Sequence, residues 1–342
     1  MANTKVQVLL LGCGAVGTMA AVTLERSGRA SVTAVLRSNF ETVQKNGFTI
    51  DSVDHGKLSS WCSSHVVRSI QDAMSYGPFH FVVVAMKSLP DIYSIPKLIA
   101  PIMIAFDSTI VLIQNGIGNE QPFVDAFPDS TVLSGVSMIG ARQLESGILQ
   151  HDKPDILHIG PFYNPSVAKE QQDLLAASFA SLYEAGGATC IIAEDIIWMR
   201  WKKLVWNASF NSVCAMTGLD AASIIDAGGL ETMIRPVMNE IVTIAHASGY
   251  VLPNNIQELS IASMPREIRF RPSMLVDADR GNPMEIEVIV GNPLRMAQEL
   301  GCETPFLRAI YGCLKIMQWK FGAKVIEIHE ARKDKGETDD SI

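Results

Sequence analysis

The sequence predicts an α/β domain built on a parallel sheet, followed by an all-α domain. In the first half, short apolar and β-branched runs alternate with helical stretches, which is typical of a parallel sheet covered on both faces. The first of these runs leads into the glycine-rich stretch Gly12–Gly17, which opens a helix. After Glu194 the strand signals end, and helical patterns fill the chain to about Ile328.

Strands and helices alternate in order along the first half. The predicted elements are strands at Val6–Leu11, Ser31–Leu36, Phe79–Met86, Thr109–Ile113 and Thr189–Ala193, with helices at Ala15–Ser27 and Lys169–Glu184. Turn residues separate three shorter strand-like pieces, Thr131–Ile139, Gly147–His151 and Ile156–Ile159. These three pieces predict an antiparallel patch at one end of the sheet.

Glycine and proline residues divide the second half of the chain into helices. The predicted helices are Asp195–Met216, Gly229–Ser248, Ile256–Ser263, Met284–Glu299 and Thr304–Phe321. At roughly 100–200 residues per domain, the 342 residues suit two domains, which we place at residues 1–194 and 195–330. The charged stretch 331–342 is predicted to be a disordered tail.

Composition excludes several classes of protein. Hydrophobic residues make up 48% of the chain, which is enough for sizeable cores and excludes wholesale disorder. The net charge of −8 argues against nonspecific binding to nucleic acid or to an anionic membrane. The six cysteines show no metal-binding spacing, so we expect reduced thiols and no metal. The N-terminus lacks the pattern of a secretory signal, and we expect a cytoplasmic protein.

The glycine-rich stretch carries the first functional signal. Six consecutive residues fit the pattern GxGxxG, namely Gly12, Cys13, Gly14, Ala15, Val16 and Gly17. The pattern follows a predicted strand and opens a predicted helix, which is its context in dinucleotide-binding Rossmann domains. The helix N-terminus supplies N–H groups and a positive dipole end to the pyrophosphate. We therefore predict a Rossmann-type dinucleotide-binding domain; the alternative is a glycine turn without a ligand.

Arg37 bears on the choice of dinucleotide. It stands twenty residues after Gly17, where NAD-binding folds usually carry Asp or Glu for the ribose 2′-OH. The stretch Leu36–Asn39 contains no carboxylate, and a cation suits a 2′-phosphate. The sequence thus favours NADP (NADPH) over NAD, with a solvated surface arginine as the alternative.

Two polar residues follow predicted strands of the parallel sheet. Lys87 comes directly after the strand Phe79–Met86, and Asn115 follows Thr109–Ile113. Both therefore belong at carboxyl ends of strands, where open α/β sheets bind their ligands. The asparagine amide could orient a nicotinamide or a catalytic side chain. The alternatives are a surface lysine and an ordinary Asn-Gly turn.

A polar stripe marks the first helix of the second half. Lys203, Asn207 and Asn211 are spaced four residues apart, which places them on one helical face. Such a lysine can give a proton to a carbonyl oxygen as hydride reaches the carbon. The alternative is a solvent-facing stripe. Glu285 and Glu287 downstream could be ordinary first-turn acids, whereas a buried glutamate could pair with the lysine and tune it.

Taken together, these residues resemble the ketopantoate reductase (2-dehydropantoate 2-reductase) family over nearly the whole chain. The motifs that carry the resemblance are Gly12–Gly17, Arg37, Lys87, Asn115-Gly116-Ile117-Gly118, His158-Ile159-Gly160-Pro161, Trp201-Lys202-Lys203-Leu204 with Asn207 and Asn211, and Ser273-Met274-Leu275 with Glu285. The resemblance implies NADPH-dependent reduction of 2-dehydropantoate to (R)-pantoate, in pantothenate and coenzyme A biosynthesis.

The resemblance also implies roles for individual residues. Lys203 matches the general-acid lysine, Glu285 the assisting carboxylate and Asn115 the asparagine near the nicotinamide. The substrate-contacting positions are Asn207, Asn211 and Ser273, together with Lys203. The cofactor positions are the glycine loop, Arg37, Lys87 and Asn115. The implied partner is a small 2-oxo acid. From the order of the domains we expect it in a cleft between them, and the sequence leaves monomer and homodimer open.

Two positions depart from the family pattern. Met284 stands before the glutamate where the family often has threonine, and Phe270 stands three residues before Ser273 in place of an asparagine. These departures leave open a reductase of a different 2-oxo acid or ketone on the same fold. A non-catalytic NADP-binding sensor is a further alternative, although a sensor does not need the set Lys203, Asn115 and Glu285.

Overall fold

The structure, a computed structural model, describes residues 5–263 and 267–333, with side chains described as far as Phe321. The described residues divide into two compact units, of which the first ends at Arg200 and the second begins at Trp201. The units meet inside a helix, whereas the sequence places the domain boundary after Glu194. That boundary stays a prediction.

The first unit contains twelve strands, six complete α-helices and one 3-10 helix, Met74–Tyr76, among its described residues. Its elements are β1 (Val6–Leu11), α1 (Ala15–Arg26), β2 (Ala30–Val35), α2 (Phe40–Asn46), β3 (Phe48–Ser52), β4 (Gly56–Trp61), β5 (His65–Val67), α3 (Ile70–Ala73), β6 (Phe81–Val84), α4 (Ile95–Ala105), β7 (Thr109–Ile113), α5 (Gln121–Ala126), β8 (Val132–Ser137), β9 (Gly140–Glu145), β10 (Ile148–Lys153), β11 (Ile156–Phe162), α6 (Lys169–Ala185) and β12 (Thr189–Ile192).

The main sheet has eight strands in the order β12-β11-β8-β7-β6-β1-β2-β5. All neighbouring strands are parallel except β11 and β8. The chain runs from β1 outward to β2 and later returns to β6 on the other side of β1. This reversal is the topological switch point at which doubly wound sheets bind ligands. The predicted parallel sheet in an α/β unit is confirmed.

The apolar pattern of β1 explains why it is central. Val8 and Leu10 face one core cluster together with α1 and α6 residues. Leu9 and Leu11 face the other cluster, which includes residues of α4. Because both faces of the strand are covered, its buried part, Val8–Leu11, is continuously apolar instead of alternating.

The predicted antiparallel patch is only partly right. β8 and β11 do pair antiparallel in the main sheet. The strand predicted at Gly147–His151 is instead β10 of a second, four-stranded sheet with the order β4-β3-β10-β9. The sequence analysis missed β3, β4 and β9. β3 alternates buried and exposed residues over only five positions, Phe48–Ser52, and β4 and β9 contain no buried residue.

The second unit contains helices and no strand among its described residues, as predicted. It is entered along α7 (Ile196–Trp206), and it contains π1 (Asn207–Asn211), α8 (Ser212–Thr217), α9 (Ala221–Asp226), π2 (Leu230–Ile234), α10 (Arg235–Ala247), α11 (Ile256–Ala262), α12 (Ser273–Arg280), π3 (Glu287–Gly291), α13 (Asn292–Leu300) and α14 (Pro305–Lys333). No helix in the described part of the chain is long and apolar enough to span a membrane.

Two features of this unit differ from the sequence prediction. The helix predicted over Asp195–Met216 is interrupted by the π-helical turn π1, and π2 and π3 lie within two further predicted helices. In addition, α14 continues to Lys333, so the predicted tail does not begin at Ala331. The remainder of that predicted tail, 334–342, lies outside the described residues.

A buried polar cluster joins the second sheet to the helices of the first unit. His55 Nε2 lies 3.2 Å from Thr23 Oγ1 on α1. Tyr183 on α6 donates its hydroxyl to Asp155 at 2.7 Å. Burial lowers the pKa of His55, and the nearby Arg26 and His151 lower it further against the opposing charge of Asp54. Burial raises the pKa of Asp155.

We predict that the first unit loses stability as the pH falls from 7.5 to 5.5. The folded pKa of His55 is lowered, so the unfolded state takes up the proton first as the pH passes its ordinary value of about 6.5. The slope from this proton is at most about 1.4 kcal/mol per pH unit. Thermal unfolding measured across this range should therefore show a smaller loss in His55→Gln than in the wild type.

The comparison between variants is needed because Asp155, whose pKa is raised, acts with the opposite sign: protonation of the folded carboxyl stabilises the unit as the pH falls. His80→Gln is the matched control, because His80 is an exposed histidine of the same unit. Equal pH dependence in wild type and His55→Gln would contradict the prediction.

Candidate active site

The glycine loop connects β1 to α1 at the switch point of the sheet. Gly12 has a left-handed φ of +94°, and a Cβ there would lie 2.3 Å from the backbone nitrogen of Met86, just after β6. A Cβ at Gly17 would lie 1.9 Å from the carbonyl oxygen of Gly12. Both positions therefore require glycine for packing within the fold, whether or not a ligand binds.

Gly14 differs from the other two glycines of the loop. A Cβ there would have no heavy atom of the described residues within 4 Å. Its φ of −74° is open to any residue, so the fold itself does not require glycine here. Gly14 precedes α1, whose described first turn has no acidic side chain to occupy the positive end of the helix dipole. This open space at a helix N-terminus fits a dinucleotide pyrophosphate.

Arg37 follows β2, the neighbour of β1. It is exposed, and its guanidinium has no hydrogen bond or ion pair with any described side chain. Asn39, two residues later, is buried and donates from Nδ2 to the carbonyl oxygen of Cys13 at 3.2 Å. The loop that carries Arg37 is thereby tied to the glycine loop. This position suits a cation that contacts the ribose end of a dinucleotide.

Lys87 lies on the other side of the glycine loop. It follows Met86, the residue against which Gly12 packs, and it is half-buried. Its carbonyl oxygen accepts a hydrogen bond from the Tyr93 hydroxyl at 2.5 Å. Lys87 and the glycine loop thus lie at adjacent strand ends, as predicted from their places after two parallel strands.

Asn115 lies in the turn after β7, the next strand of the sheet, and is half-buried. Gly116 and Gly118 have left-handed φ values of +85° and +76°, which explains the glycine spacing of this stretch. Asn119 donates from Nδ2 to the Asn115 carbonyl oxygen at 2.7 Å. The turn therefore combines two left-handed glycines with a side-chain hydrogen bond to its backbone.

The sequence analysis missed a buried ion pair beside this turn. The Arg200 guanidinium pairs with the Glu120 carboxylate, and both side chains are 1% exposed. Ser134 lies between them, donating to Glu120 at 2.7 Å and accepting from Arg200 Nε at 2.8 Å. No local pattern could have indicated this pair, since its members are eighty residues apart in the sequence.

In the second unit, the polar stripe lies at the junction of α7 and π1. Lys203 is half-buried, whereas Asn207 and Asn211 are 5% and 4% exposed. Asn211 Nδ2 donates to Asn207 Oδ1 at 3.3 Å, while Asn211 Oδ1 is buried with no hydrogen-bond partner among the described residues. The alternative of a solvent-facing stripe is therefore wrong for the two asparagines. π-Helical turns are frequent at functional sites.

The elements that carry the other predicted residues of this unit pack against π1. Ser273 is the first residue of α12, which contacts both π1 and α8. Glu285 is buried two residues before π3, which also contacts π1. Lys203, on the helix that leads into π1, and Glu285, just before the π3 turn that contacts π1, are 82 positions apart in the sequence.

The structure separates the two candidate glutamates. Glu287 accepts hydrogen bonds from Tyr311 at 2.9 Å, Lys315 at 3.0 Å and Arg295 at 2.9 Å. Burial acts to raise the pKa of Glu287, but the three donors together outweigh this effect and lower that pKa. Glu287 is therefore committed to a structural cluster, which leaves Glu285 as the candidate for chemistry. No cluster of three potential metal ligands occurs among the described residues.

Comparison with known proteins identifies the family. The model named Ketopantoate reductase PanE/ApbA matches residues 8–164, and its C-terminal counterpart matches residues 195–318. A crystal structure of 2-dehydropantoate 2-reductase from Methylococcus capsulatus is 32% identical, covers 92% of this chain and 98% of its own, and has a TM-score of 0.77.

The chain belongs to the ketopantoate reductase family. An uncharacterized protein of Saccharomyces cerevisiae is 31% identical over 92% of this chain and 94% of its own length. This family is one of oxidoreductases, and both halves of the chain share its architecture of a parallel-sheet α/β unit and a helical unit.

More distant structures share the fold. D-mandelate dehydrogenase, solved with NADH and anilino(oxo)acetate, is 16% identical, covers 92% of this chain and 99% of its own, and has a TM-score of 0.80. A ketopantoate reductase from Staphylococcus aureus, described as dimeric, is 22% identical, covers 92% of this chain and 100% of its own, and has a TM-score of 0.72. The fold thus accommodates a nicotinamide dinucleotide in at least one other protein.

We predict that Gly14→Ala weakens dinucleotide binding at least tenfold without unfolding the protein. The added methyl group meets no described atom, so only a bound pyrophosphate would collide with it. Titration with NADPH, followed by fluorescence, measures the affinity, and thermal unfolding measures the stability. Because Ala is a poorer N-cap than Gly, a stability loss below about 1 kcal/mol is expected.

The matched control is Gly312→Ala in α14, where a Cβ also has no described neighbour within 4 Å. This variant should keep the affinity of the wild type. Undiminished affinity in Gly14→Ala would show that the loop does not approach the cofactor closely.

Proposed function

We propose that the chain is an NADPH-dependent 2-oxo acid reductase that converts 2-dehydropantoate to (R)-pantoate, a step in pantothenate and coenzyme A biosynthesis. The observation that carries the proposal is the half-buried Lys203, which precedes two buried asparagines at the junction of α7 and π1. Family membership supports the substrate, because the crystallised relative at 32% identity is a 2-dehydropantoate 2-reductase.

Bound NADPH supplies a hydride to the carbonyl carbon of the substrate. In this proposal Lys203 holds a proton on Nζ and gives it to the carbonyl oxygen, so that the C=O bond becomes CH–OH and NADP⁺ remains. Glu285, which is buried, would assist the lysine by favouring its charged form. The amide of Asn115 would orient the nicotinamide.

The substrate would be bound by amide and hydroxyl groups. Asn211 is suited to this role because its Oδ1 is buried and makes no hydrogen bond to a described residue, which costs free energy unless a ligand satisfies it. Asn207 already accepts from Asn211 and keeps its own Nδ2 to donate. Ser273 at the start of α12 would complete the set.

The cofactor phosphates would be bound locally in an otherwise acidic protein. The N-terminus of α1 would face the pyrophosphate, and Arg37 would contact the 2′-phosphate. Lys87 would lie nearby at the end of β6. In this proposal these few cations are local exceptions in a chain whose net charge is −8.

A second candidate is a reductase of a 2-oxo acid with an apolar or aromatic substituent. Phe270, at the position of the family's asparagine, is 37% exposed, and its flanking arginines pair with aspartates: Arg269 with Asp220 and Asp226, and Arg271 with Asp279. An exposed aromatic ring favours an apolar group. The D-mandelate dehydrogenase structure holds an aromatic oxo acid on the same fold.

The deciding experiment is NADPH oxidation with a panel of 2-oxo acids, including 2-dehydropantoate and benzoylformate. The highest kcat/KM with 2-dehydropantoate supports the first proposal. A preference for benzoylformate that Phe270→Asn reverses would favour the second. NADPH binding without turnover on any member of the panel would indicate a sensor. Sedimentation of the same sample would distinguish the expected monomer and homodimer.

We predict that Lys203→Ala lowers kcat at least about a hundredfold while NADPH still binds, since the variant removes the proton donor but leaves the glycine loop intact. General acid–base groups contribute about 10²–10⁴ in rate. Steady-state kinetics and NADPH titration measure the two effects. The adjacent Lys202 is exposed, and Lys202→Ala is the control that should keep kcat. A near-normal kcat in Lys203→Ala would refute the assignment.

We predict that Arg37→Ala raises KM for NADPH at least tenfold and leaves KM for NADH nearly unchanged. The guanidinium would lose a charge-assisted bond to the 2′-phosphate, which NADH lacks. Kinetics with both cofactors measure the difference. Arg29→Ala is the control, because Arg29 directly precedes β2 at the end opposite Arg37. Equal effects on NADPH and NADH would remove the argument for the 2′-phosphate.

A further inference from the structure

Three consecutive backbone carbonyls of the Asn115 turn are bound by buried side chains. Arg200 Nη1 donates to the carbonyl oxygens of Gln114 at 2.8 Å and Gly116 at 3.0 Å. Asn119 Nδ2 donates to the carbonyl oxygen between them, that of Asn115, at 2.7 Å. Arg200 is 2% and Asn119 is 4% exposed. We call this arrangement the carbonyl clamp.

The clamp is itself held by a buried ion pair. Glu120 neutralises Arg200 where neither side chain reaches solvent, and Ser134 bonds to both of them. A buried guanidinium without such a partner would carry a large desolvation penalty. The planar guanidinium donates from Nε toward Glu120 and Ser134 while Nη1 spans two carbonyls, which the single ammonium of a lysine cannot reproduce.

The turn needs this restraint because of its own composition. Gly116 and Gly118 both adopt left-handed φ values. Glycine reaches these values at no steric cost, but it populates other φ values about as readily, so the glycines alone do not fix the turn. Gln114, at the start of the turn, donates from Nε2 to the Met86 carbonyl oxygen at 2.7 Å. This bond joins the turn to the segment that carries Lys87.

We propose that Arg200 and Asn119 are positioning residues that fix the backbone of the Asn115 turn, and through it the direction in which Asn115 presents its amide to the nicotinamide. The role of Asn115 rests on the proposed function; the clamp itself rests on the hydrogen bonds. Disrupting the clamp should lower kcat more than it lowers the affinity for the cofactor, because misplaced groups slow the reaction more than they weaken binding.

Asn119→Ala is the main test, since it removes one hydrogen bond to the turn and leaves the buried ion pair in place. We expect kcat to fall about tenfold and KM for NADPH to change less than about threefold. Arg200→Lys should reduce kcat further where it folds, despite keeping the charge. Wild-type kcat in Asn119→Ala would overturn the proposal.

The matched control is Asn164→Ala. Asn164 is also buried in the first unit, and its Nδ2 also donates to backbone carbonyls, those of Pro128 at 2.6 Å and Ser130 at 3.2 Å. It should lower the unfolding midpoint about as much as Asn119→Ala does and keep kcat. An equal loss of kcat in both variants would mean that these hydrogen bonds affect only the stability of the unit, and it would overturn the proposal.

Hydrogen–deuterium exchange over residues 114–120 separates this proposal from the proposed function. Faster exchange of this segment in Asn119→Ala than in wild type or Asn164→Ala supports the clamp, and unchanged exchange overturns it. If the wild type reduces no 2-oxo acid, the proposed function fails, and the exchange measurement still decides whether the clamp holds the turn.

Discussion

The close approach of β1 and β6 is the constraint on which the first unit depends. The chain returns to β6 directly beside β1, so the loop after β1 passes very close to the backbone of Met86. A Cβ at position 12 would overlap that backbone, and only glycine fits there. The same approach places Lys87 and, one strand further, the Asn115 turn at the edge where α1 begins. Backbone packing therefore accounts for the grouping of Lys87 and the Asn115 turn with the glycine loop.

Local sequence signals were sufficient where burial is complete or where one residue type is obligatory. The apolar run Val8–Leu11 and the glycines of the loop could be interpreted without a structure, since strands covered on both faces consist mainly of apolar residues and Gly12 admits no Cβ. The second sheet gave no such signal. Only five residues of β3 alternate between buried and exposed, β4 and β9 contain no buried residue, and the sheet depends on pairing between β3 and the distant β10.

Contacts that are distant in sequence account for the rest of what could not be predicted. Helical spacing placed Lys203, Asn207 and Asn211 on one face, but it could not show that the α-helix changes to a π-helical turn at Asn207. It also could not distinguish Glu285 from Glu287, two residues apart. That distinction comes from Tyr311, Lys315 and Arg295, which bind Glu287 from elsewhere in the same unit.

The Arg200–Glu120 pair shows why a buried charge can belong to a site without touching a ligand. Replacing such a pair by apolar residues often leaves stability unchanged or higher, so stability alone does not explain an arginine and a glutamate that are each 1% exposed. Apolar side chains, however, could not bind the carbonyls of Gln114 and Gly116. A turn that contains two left-handed glycines gains a single conformation from those bonds. We therefore attribute the pair to the geometry of the turn and not to the stability of the core.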